Sequence, residues 1–167
     1  MEKEVLEKYK KAHDISDEAI EFARPLVKEG YSALELVEKV EEKIRKLDGK
    51  PAWPVNISMN EIAAHYTPEI DDTLIFKEND LAKIDIGVQV DGYISDRAFT
   101  VYVGHKIHPL IECSEKATKA ALKFLKSGVK VYEVSQLIED IVVKEFGFNP
   151  IRNLCGHSMN QYSQHGP

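Results

Sequence analysis

The chain has 167 residues and a formal net charge of −6 at pH 7, from 22 Lys and Arg against 28 Asp and Glu. Hydrophobic residues make up 43% of the composition, which excludes a disordered chain and suffices for the core of one soluble domain. The acidic charge argues against a general nucleic-acid binder, and no apolar run approaches the roughly 18 residues of a membrane span. The two cysteines lack CxxC spacing and the N-terminus is unlike a signal peptide, so we expect a cytoplasmic protein.

Two helices are predicted in the first part of the chain. Apolar residues recur near the helical period over residues 2–28, and Gly30 ends this long or broken helix. Ser32 followed by Glu35 is the pattern of a capping box and begins a second helix, which ends near residues 48–49.

A β-hairpin is the clearest structural signal. Two prolines after residue 50 predict an irregular passage, followed by short strands and loops over residues 55–80. Apolar and polar residues alternate over residues 81–90, which is typical of a strand with one buried and one polar face. Asp91-Gly92 is a strong signal for a two-residue turn, so residues 93–103 are predicted to return as the partner strand.

A second pair of helices follows the hairpin. Pro109 suits the first position of a helix that ends at Gly128, and another helix ends at Gly147 before a polar tail.

A weak internal repeat relates the two helix pairs. The pattern KxGx₄E in residues 28–35, with one residue between Lys and Gly, recurs in residues 126–133, at an offset of 126 − 28 = 98 residues. A duplication predicts two helix-helix-hairpin units, the second hairpin lying beyond residue 167. Chance likeness between amphipathic helices that end at glycine is the alternative.

The hairpin places two carboxylates on its polar face. Pairing across a two-residue turn sets Asp85 opposite Ala98 and Asp96 opposite Gly87, so the two aspartates are diagonal neighbours, roughly 7–8 Å apart at the backbone. Such carboxylates repel unless a cation joins them, and oxygen ligands with a histidine suit a transition-metal ion. Two solvated carboxylates are the alternative.

Three histidines lie in distinctive surroundings. They are His65, His157 and His165. Each alone could be a metal ligand, a proton shuttle or an ordinary packed or surface residue, and their spacing does not decide between these roles.

Four motifs occur in chain order: WPVNISxNEIAAHYTP over residues 53–68, KIDIG over 83–87, DGYISDxAxT over 91–100 and NLxGHSxxQYxxH over 153–165. Together they resemble the motifs of type 2 methionine aminopeptidases, particularly the archaeal ones. The resemblance covers nearly the whole chain.

The resemblance implies an α+β pita-bread fold with two pseudo-symmetric halves around a curved antiparallel sheet. It implies that residues 1–167 are the N-terminal portion of one catalytic domain. It also implies a site for two divalent metal ions (Co, Mn, Fe or Zn), in which Asp85, Asp96 and His157 are ligands. The family's other two ligands are glutamates, one of which is the general base. We expect both beyond residue 167, together with a C-terminal half and a helical insertion.

The implied reaction is metal-assisted removal of the initiator methionine from nascent polypeptides, with the ribosome as a further partner. His65 and His165 would act as catalytic, substrate-contacting residues that stabilise the oxyanion. Trp53, where the family usually has Phe, would form a wall of the methionine pocket. Thr100 would support the hairpin carboxylates, or serve only as a β-branched strand residue.

Two residues depart from the family pattern. Arg97 follows the second aspartate and faces away from the predicted metal, so we expect it to reach solvent or to pair with a carboxylate. Cys155 precedes Gly156-His157, where it is expected to be a small buried residue, with a metal-sensitive thiol as the alternative.

With three predicted ligands, the 167-residue chain is expected to be inactive alone. A fragment, a split enzyme completed by a second chain and a chain without a catalytic role are three explanations. Two other functions remain open: a non-catalytic pita-bread protein that binds protein or RNA, and a proline-specific dipeptidase. No membrane and no specific nucleic acid are expected as partners.

Overall fold

A computed structural model of the chain describes residues 2–166. The chain divides into two compact units. The first unit runs to His105 and includes the tail from Ser158, and the second unit is Lys106–His157. Helices and strands are both present, as the α+β prediction requires.

The first unit contains two helices and four strands. They are α1 (Lys3–Ala23), α2 (Ala33–Lys46), β1 (Lys50–Pro51), β2 (Asn56–Met59), β3 (Leu81–Val90) and β4 (Tyr93–Tyr102). All pairings are antiparallel, with β3 in the middle, β4 along one edge of it, and β1 and β2 along the other. The predicted hairpin register is confirmed, because Asp85 pairs with Ala98 and Gly87 with Asp96.

One face of the sheet is buried beneath α1. Ile84, Ile86 and Val88 of β3 have no solvent exposure, and α1 packs against both β3 and β4. A buried hydrogen bond of 2.9 Å joins the hydroxyl oxygens of Ser16 on α1 and Ser95 on β4. The opposite, polar face of the hairpin carries Asp85, Asp96 and Thr100.

The helix ends differ from the prediction in a way that proline explains. The first helix ends at Ala23 and gives way to a 3₁₀ turn, Arg24–Leu26, because Pro25 has no amide proton with which to continue the helix. The predicted start of α2 is confirmed, since the Glu35 amide donates to the Ser32 hydroxyl oxygen over 3.3 Å.

The second unit is helical. It contains α3 (Pro109–Phe124) and α4 (Val131–Asp140), which continues as a π-helical turn over Ile141–Glu145. Pro109 begins α3 as predicted, and the Leu110 amide donates to the His108 ring. Phe124 ends α3 four residues before the predicted Gly128.

The repeat has a local structural counterpart. Gly30 and Gly128 both adopt left-handed backbone conformations, with φ of 77° and 89°. Each precedes a helix by three residues, at Ala33 and Val131, which are again 131 − 33 = 98 residues apart. Among residues 2–166, no helix combines the length and apolar character needed to cross a membrane.

Candidate functional site

Two aspartates share the polar face of the hairpin. Asp85 lies on β3 and Asp96 on β4, in cross-strand pairs that are separated by the pair of Ile86 and Arg97. The Asp85 Oδ1 atom is excluded from solvent and Asp96 is partly buried. The diagonal arrangement predicted from the turn is therefore present, and it brings together two of the three predicted metal ligands.

Trp53 lies against the strand beside these aspartates. A Cβ atom built on Gly87 would sit 2.5 Å from Trp53 Cζ2, so the indole ring occupies the space that a side chain would need. Gly87 is the direct partner of Asp96, and its carbonyl accepts a hydrogen bond of 2.9 Å from the Ala52 amide. The ring thus forms a wall next to the carboxylates. A glycine within a strand signals such a close approach, and this signal could have identified Gly87.

Three further side chains belong to the same face. Asn56 on β2 is the direct partner of Asp85, and Lys83 pairs with Thr100. The Lys83 ammonium donates to the Ile62 carbonyl, and burial lowers the pKa of this lysine. Thr100 shares the face of both aspartates, while its supporting role stays a prediction. Sequence reasoning assigned no role to Asn56 or Lys83. The strand alternation over residues 81–90 places Lys83 on the face of Asp85, whereas the position of Asn56 follows only from the pairing of β2 with β3.

His65 is exposed and has a left-handed backbone conformation, with φ of 67°. Two hydrogen bonds anchor the residues that directly follow His65. The Tyr66 carbonyl accepts from the Ile57 amide over 2.7 Å, and the Thr67 hydroxyl accepts from the Asn56 side chain over 2.7 Å. Because Asn56 is opposite Asp85, the loop that carries His65 is tied to the row of Asp85.

A hydrogen bond between Tyr66 and Asp72 closes the same loop. The Tyr66 hydroxyl donates to Asp72 Oδ2 over 2.5 Å, and the Leu74 amide donates to the other carboxylate oxygen over 2.7 Å. The tyrosine, and then the amide, lower the pKa of Asp72, and the carboxylate raises the pKa of Tyr66. Residues 65–67 and 69–73 line an open cavity of about 640 Å³.

The other two histidines are exposed and lie in different units. His165 belongs to the tail of the first unit, where its carbonyl accepts from the Ser163 hydroxyl over 3.0 Å. His157 belongs to the second unit, so its role as a ligand stays a prediction. Within residues 2–166, the structure contains no group of three or more His, Cys, Asp or Glu side chains already arranged to hold a metal ion.

The structure shows the surroundings of Arg97 and Cys155, the two residues that depart from the family pattern. Arg97 forms an ion pair with Asp17 of α1, which confirms the expected carboxylate partner. Cys155 is exposed, so the expectation of a small buried residue is wrong. It lies in the segment 151–158, in which every residue is exposed.

The sequence profile of metallopeptidase family M24 matches residues 7–167. The chain belongs to this family. The M24 chain is 45% identical over 161 residues to a methionine aminopeptidase from Pyrococcus horikoshii, an alignment that covers 96% of this chain and 53% of that protein. It therefore spans about half the length of this relative. The predicted resemblance to archaeal methionine aminopeptidases is confirmed.

Solved structures confirm the pita-bread fold of the M24 chain. A methionine aminopeptidase from Thermotoga maritima has a TM-score of 0.91 and 28% identity, covering 100% of this chain and 70% of that one. A prolidase from Pyrococcus furiosus has a TM-score of 0.78 and the same identity, covering 87% of this chain and 44% of that one. The fold is thus shared by peptidases of different specificity.

Proposed function

We propose that this M24 chain is the N-terminal portion of a methionine aminopeptidase, which removes the initiator methionine from polypeptides. The diagonal carboxylate pair of Asp85 and Asp96 carries the proposal, because a metallopeptidase needs carboxylate ligands and the sheet register places these two on one face. The archaeal relative of that name, 45% identical, supports the choice of reaction.

Asp85 and Asp96 fit a divalent cation by the chemistry of their donor atoms. Two carboxylates on one face of a rigid hairpin repel each other, and a shared cation removes this cost. Their oxygens would make, with an imidazole from His157, a ligand set that suits Mn, Fe, Co or Zn. A divalent ion bound there would lower the pKa of a water and polarise the scissile carbonyl.

The chain's own residues would bind and orient the substrate. Trp53, held against Gly87 beside Asp96, offers an aromatic wall to a thioether side chain. His65 and His165 would donate hydrogen bonds to the developing oxyanion. Thr100, on the same face as the aspartates, would hold their orientation.

The remainder of the site would come from a C-terminal half. The chain spans 53% of the length of the Pyrococcus horikoshii relative. In the complete enzyme, two metal ions would be bound with two further glutamate ligands, one of them the general base. Nascent chains that begin with methionine would be the substrate, presented at the ribosome, and residues 1–167 alone would be inactive.

Metal binding tests the carboxylate pair in the 167-residue chain. We expect the parent chain to bind Mn²⁺ in an isothermal titration calorimetry experiment. Asp85→Asn or Asp96→Asn should weaken the binding by at least about tenfold, since each substitution removes a charged ligand. Asp14→Asn is the matched control, because Asp14 is an exposed aspartate on α1, which covers the opposite face of the sheet. Equal affinity in all four proteins would contradict the proposed site.

Peptide hydrolysis tests the reaction. A chimera would continue this chain with the remaining part of the Pyrococcus horikoshii relative, and we expect it to release methionine from Met-Ala-Ser with Mn²⁺ or Co²⁺. Asp96→Asn in the chimera should abolish release. Cleavage of Ala-Pro instead would favour a proline-specific dipeptidase, and metal binding without any cleavage would favour a binding protein. Robust turnover by residues 1–167 alone would refute the proposed division of the site.

A further inference from the structure

Two tight turns meet at the tip of the hairpin. One is the Asp91-Gly92 turn between β3 and β4, and the other lies in the tail, where Asn160 and Ser163 form an antiparallel bridge around Gln161 and Tyr162. The Tyr162 amide donates to the Gly92 carbonyl over 2.8 Å, and the Gln161 side chain donates to the Asp91 carbonyl over 2.9 Å. Both carbonyls of the hairpin turn are therefore bound by the tail.

The tyrosine ring adds a close packing contact. A Cβ atom on Gly92 would lie 2.5 Å from Tyr162 Cδ2, so the ring rests directly on the glycine backbone. Gly92 has φ of 84°, and its amide donates to the Gln89 side chain over 2.8 Å, which holds the turn beneath the ring. Only glycine at this position meets both the left-handed conformation and the approach of the ring.

Tyr162 itself has a left-handed conformation, with φ of 58°. A non-glycine residue adopts this conformation at a cost, and it persists where the surroundings determine it. Here the contacts with the hairpin turn hold the tyrosine in this conformation, although 72% of its surface is exposed. The aromatic side chain is thus kept at the surface by a specific contact.

Further hydrogen bonds connect the tail turn to His165. The Ser163 hydroxyl donates to the His165 carbonyl, and the Gly166 amide donates to the Ser158 carbonyl over 2.7 Å. The second bond closes the tail into a loop between residues 158 and 166. His165 is therefore part of a small closed loop whose only tight turn, within residues 158–166, is docked on the hairpin.

We propose that Gln161 and Tyr162 are positioning residues, which hold the His165 loop against the Asp91-Gly92 turn of the same hairpin that carries Asp85 and Asp96. The sheet register then ties the location of His165 to that of the carboxylates. The consequence for catalysis rests on the proposed function, while the positioning itself can be measured without any activity.

Hydrogen exchange and proton chemical shifts of the 167-residue chain test the positioning. In the parent chain we expect the Tyr162 ring current to shift a Gly92 Hα resonance upfield, and the amides of Tyr162 and Gly166 to be protected. Tyr162→Asn removes the ring and retains a residue that tolerates a left-handed conformation. It should abolish the shift and lower both protection factors by at least about tenfold, because local opening becomes easier.

Three comparisons make the result specific. Tyr162→Phe retains the ring and should rescue the shift and the protection. Gln161→Ala should lower protection at Tyr162 while the ring contact remains. Tyr132→Asn is the matched control, because Tyr132 is an equally exposed tyrosine, at 71%, in the second unit, and it should change none of these signals. The signals of Ile86 and Val88 check that the core stays folded.

The outcomes separate this inference from the proposed function. Unshifted Gly92 protons in the parent chain, or Gly166 protection unchanged in Tyr162→Asn, would overturn the positioning role. In an active chimera, Tyr162→Asn should lower kcat with little change in KM, and Tyr162→Phe should restore it. A chimera without activity would count against the proposed function, and the exchange data would still decide the positioning.

Discussion

Gly87 is the residue on which the aromatic wall of the candidate site depends. Its missing side chain leaves the space that the Trp53 ring occupies, directly beside the partner position of Asp96. The site therefore requires a pair of residues, an aromatic ring and a glycine beneath it, although only the ring was identified as a functional residue from the sequence.

A Gly87→Ala substitution should displace Trp53. A Cβ atom 2.5 Å from the indole forces the ring to move, and overpacking of this kind costs about 1–3 kcal/mol. Trp53 is the chain's single tryptophan, so its fluorescence reports this movement alone. We expect a red-shifted emission maximum as the half-buried ring becomes more exposed to water.

Gly156→Ala provides the control for this substitution. A Cβ atom at Gly156 would meet no atom within 4 Å, so the fluorescence should not change and the free energy of unfolding should not fall. An unshifted spectrum in Gly87→Ala, with the protein folded, would show that the ring does not rest on the strand in solution.

At the scale of elements, the hairpin was predictable because its determinants are local. Strict alternation sets which residues face the core, and the Asp91-Gly92 turn sets the register, so the positions of Asp85 and Asp96 follow from the sequence. Pro109 and Ser32 likewise begin their helices as predicted, since capping depends on neighbouring residues.

The loop that carries His65 was not predictable in the same way. Its conformation depends on Ile57, which bonds to Tyr66, and on Asn56, which bonds to Thr67. These partners are known only once β2 has paired with β3, which is a tertiary contact. The pairing of β1 with β3 was not predicted either, because the two prolines indicated an irregular passage and because this pairing is also a tertiary contact.

The Tyr66–Asp72 hydrogen bond should make the stability of this loop sensitive to acid. The pKa of Asp72 is lowered in the folded chain, chiefly by the tyrosine hydroxyl, so its stabilising effect is present above the unfolded pKa of about 3.9. That effect is lost as pH falls through the lowered folded pKa. Tyr66→Phe removes the main cause of the lowered pKa. The free energies of unfolding of parent and variant should therefore differ at pH 6 and converge at strongly acidic pH.

Urea unfolding of both proteins between pH 2 and pH 6 measures this difference, and the other carboxylates cancel in the subtraction. The Asp72 carboxyl resonance should titrate at a higher pH in Tyr66→Phe than in the parent. In Tyr132→Phe, a substitution at an exposed site in α4, the Asp72 carboxyl should titrate as it does in the parent. If the difference in free energy of unfolding between parent and Tyr66→Phe did not change with pH, a role for the Asp72 charge would be excluded.

At the scale of the whole molecule, the repeated helix pairs differ in how much they bury. The main hydrophobic cluster lies entirely in the first unit, between α1, α2 and the sheet. Buried apolar residues of the second unit, within its described residues, are Cys113, Ala117, Ala121 and Ile141. Because small side chains contribute little apolar area, the second unit should be much less stable than the first.

Two natural probes can follow the two units separately. Cys113 is 3% exposed on α3, where burial raises the pKa of its thiol, so it should react with a thiol reagent only when the second unit opens. Trp53 lies in the first unit and reports its unfolding by fluorescence. The exposed Cys155 is replaced by Ser so that one thiol remains.

In this Cys155→Ser chain, we expect the labelling of Cys113 to accelerate at urea concentrations well below the midpoint of the Trp53 transition. Opening of the second unit would then be a sub-global event with its own, smaller free energy. A Cys113→Ala chain, which retains the exposed Cys155, should label rapidly without urea and so calibrates the reagent. Coincident transitions would instead mean that the helices of the second unit unfold only together with the sheet, and that small buried residues stabilise them more than their area indicates.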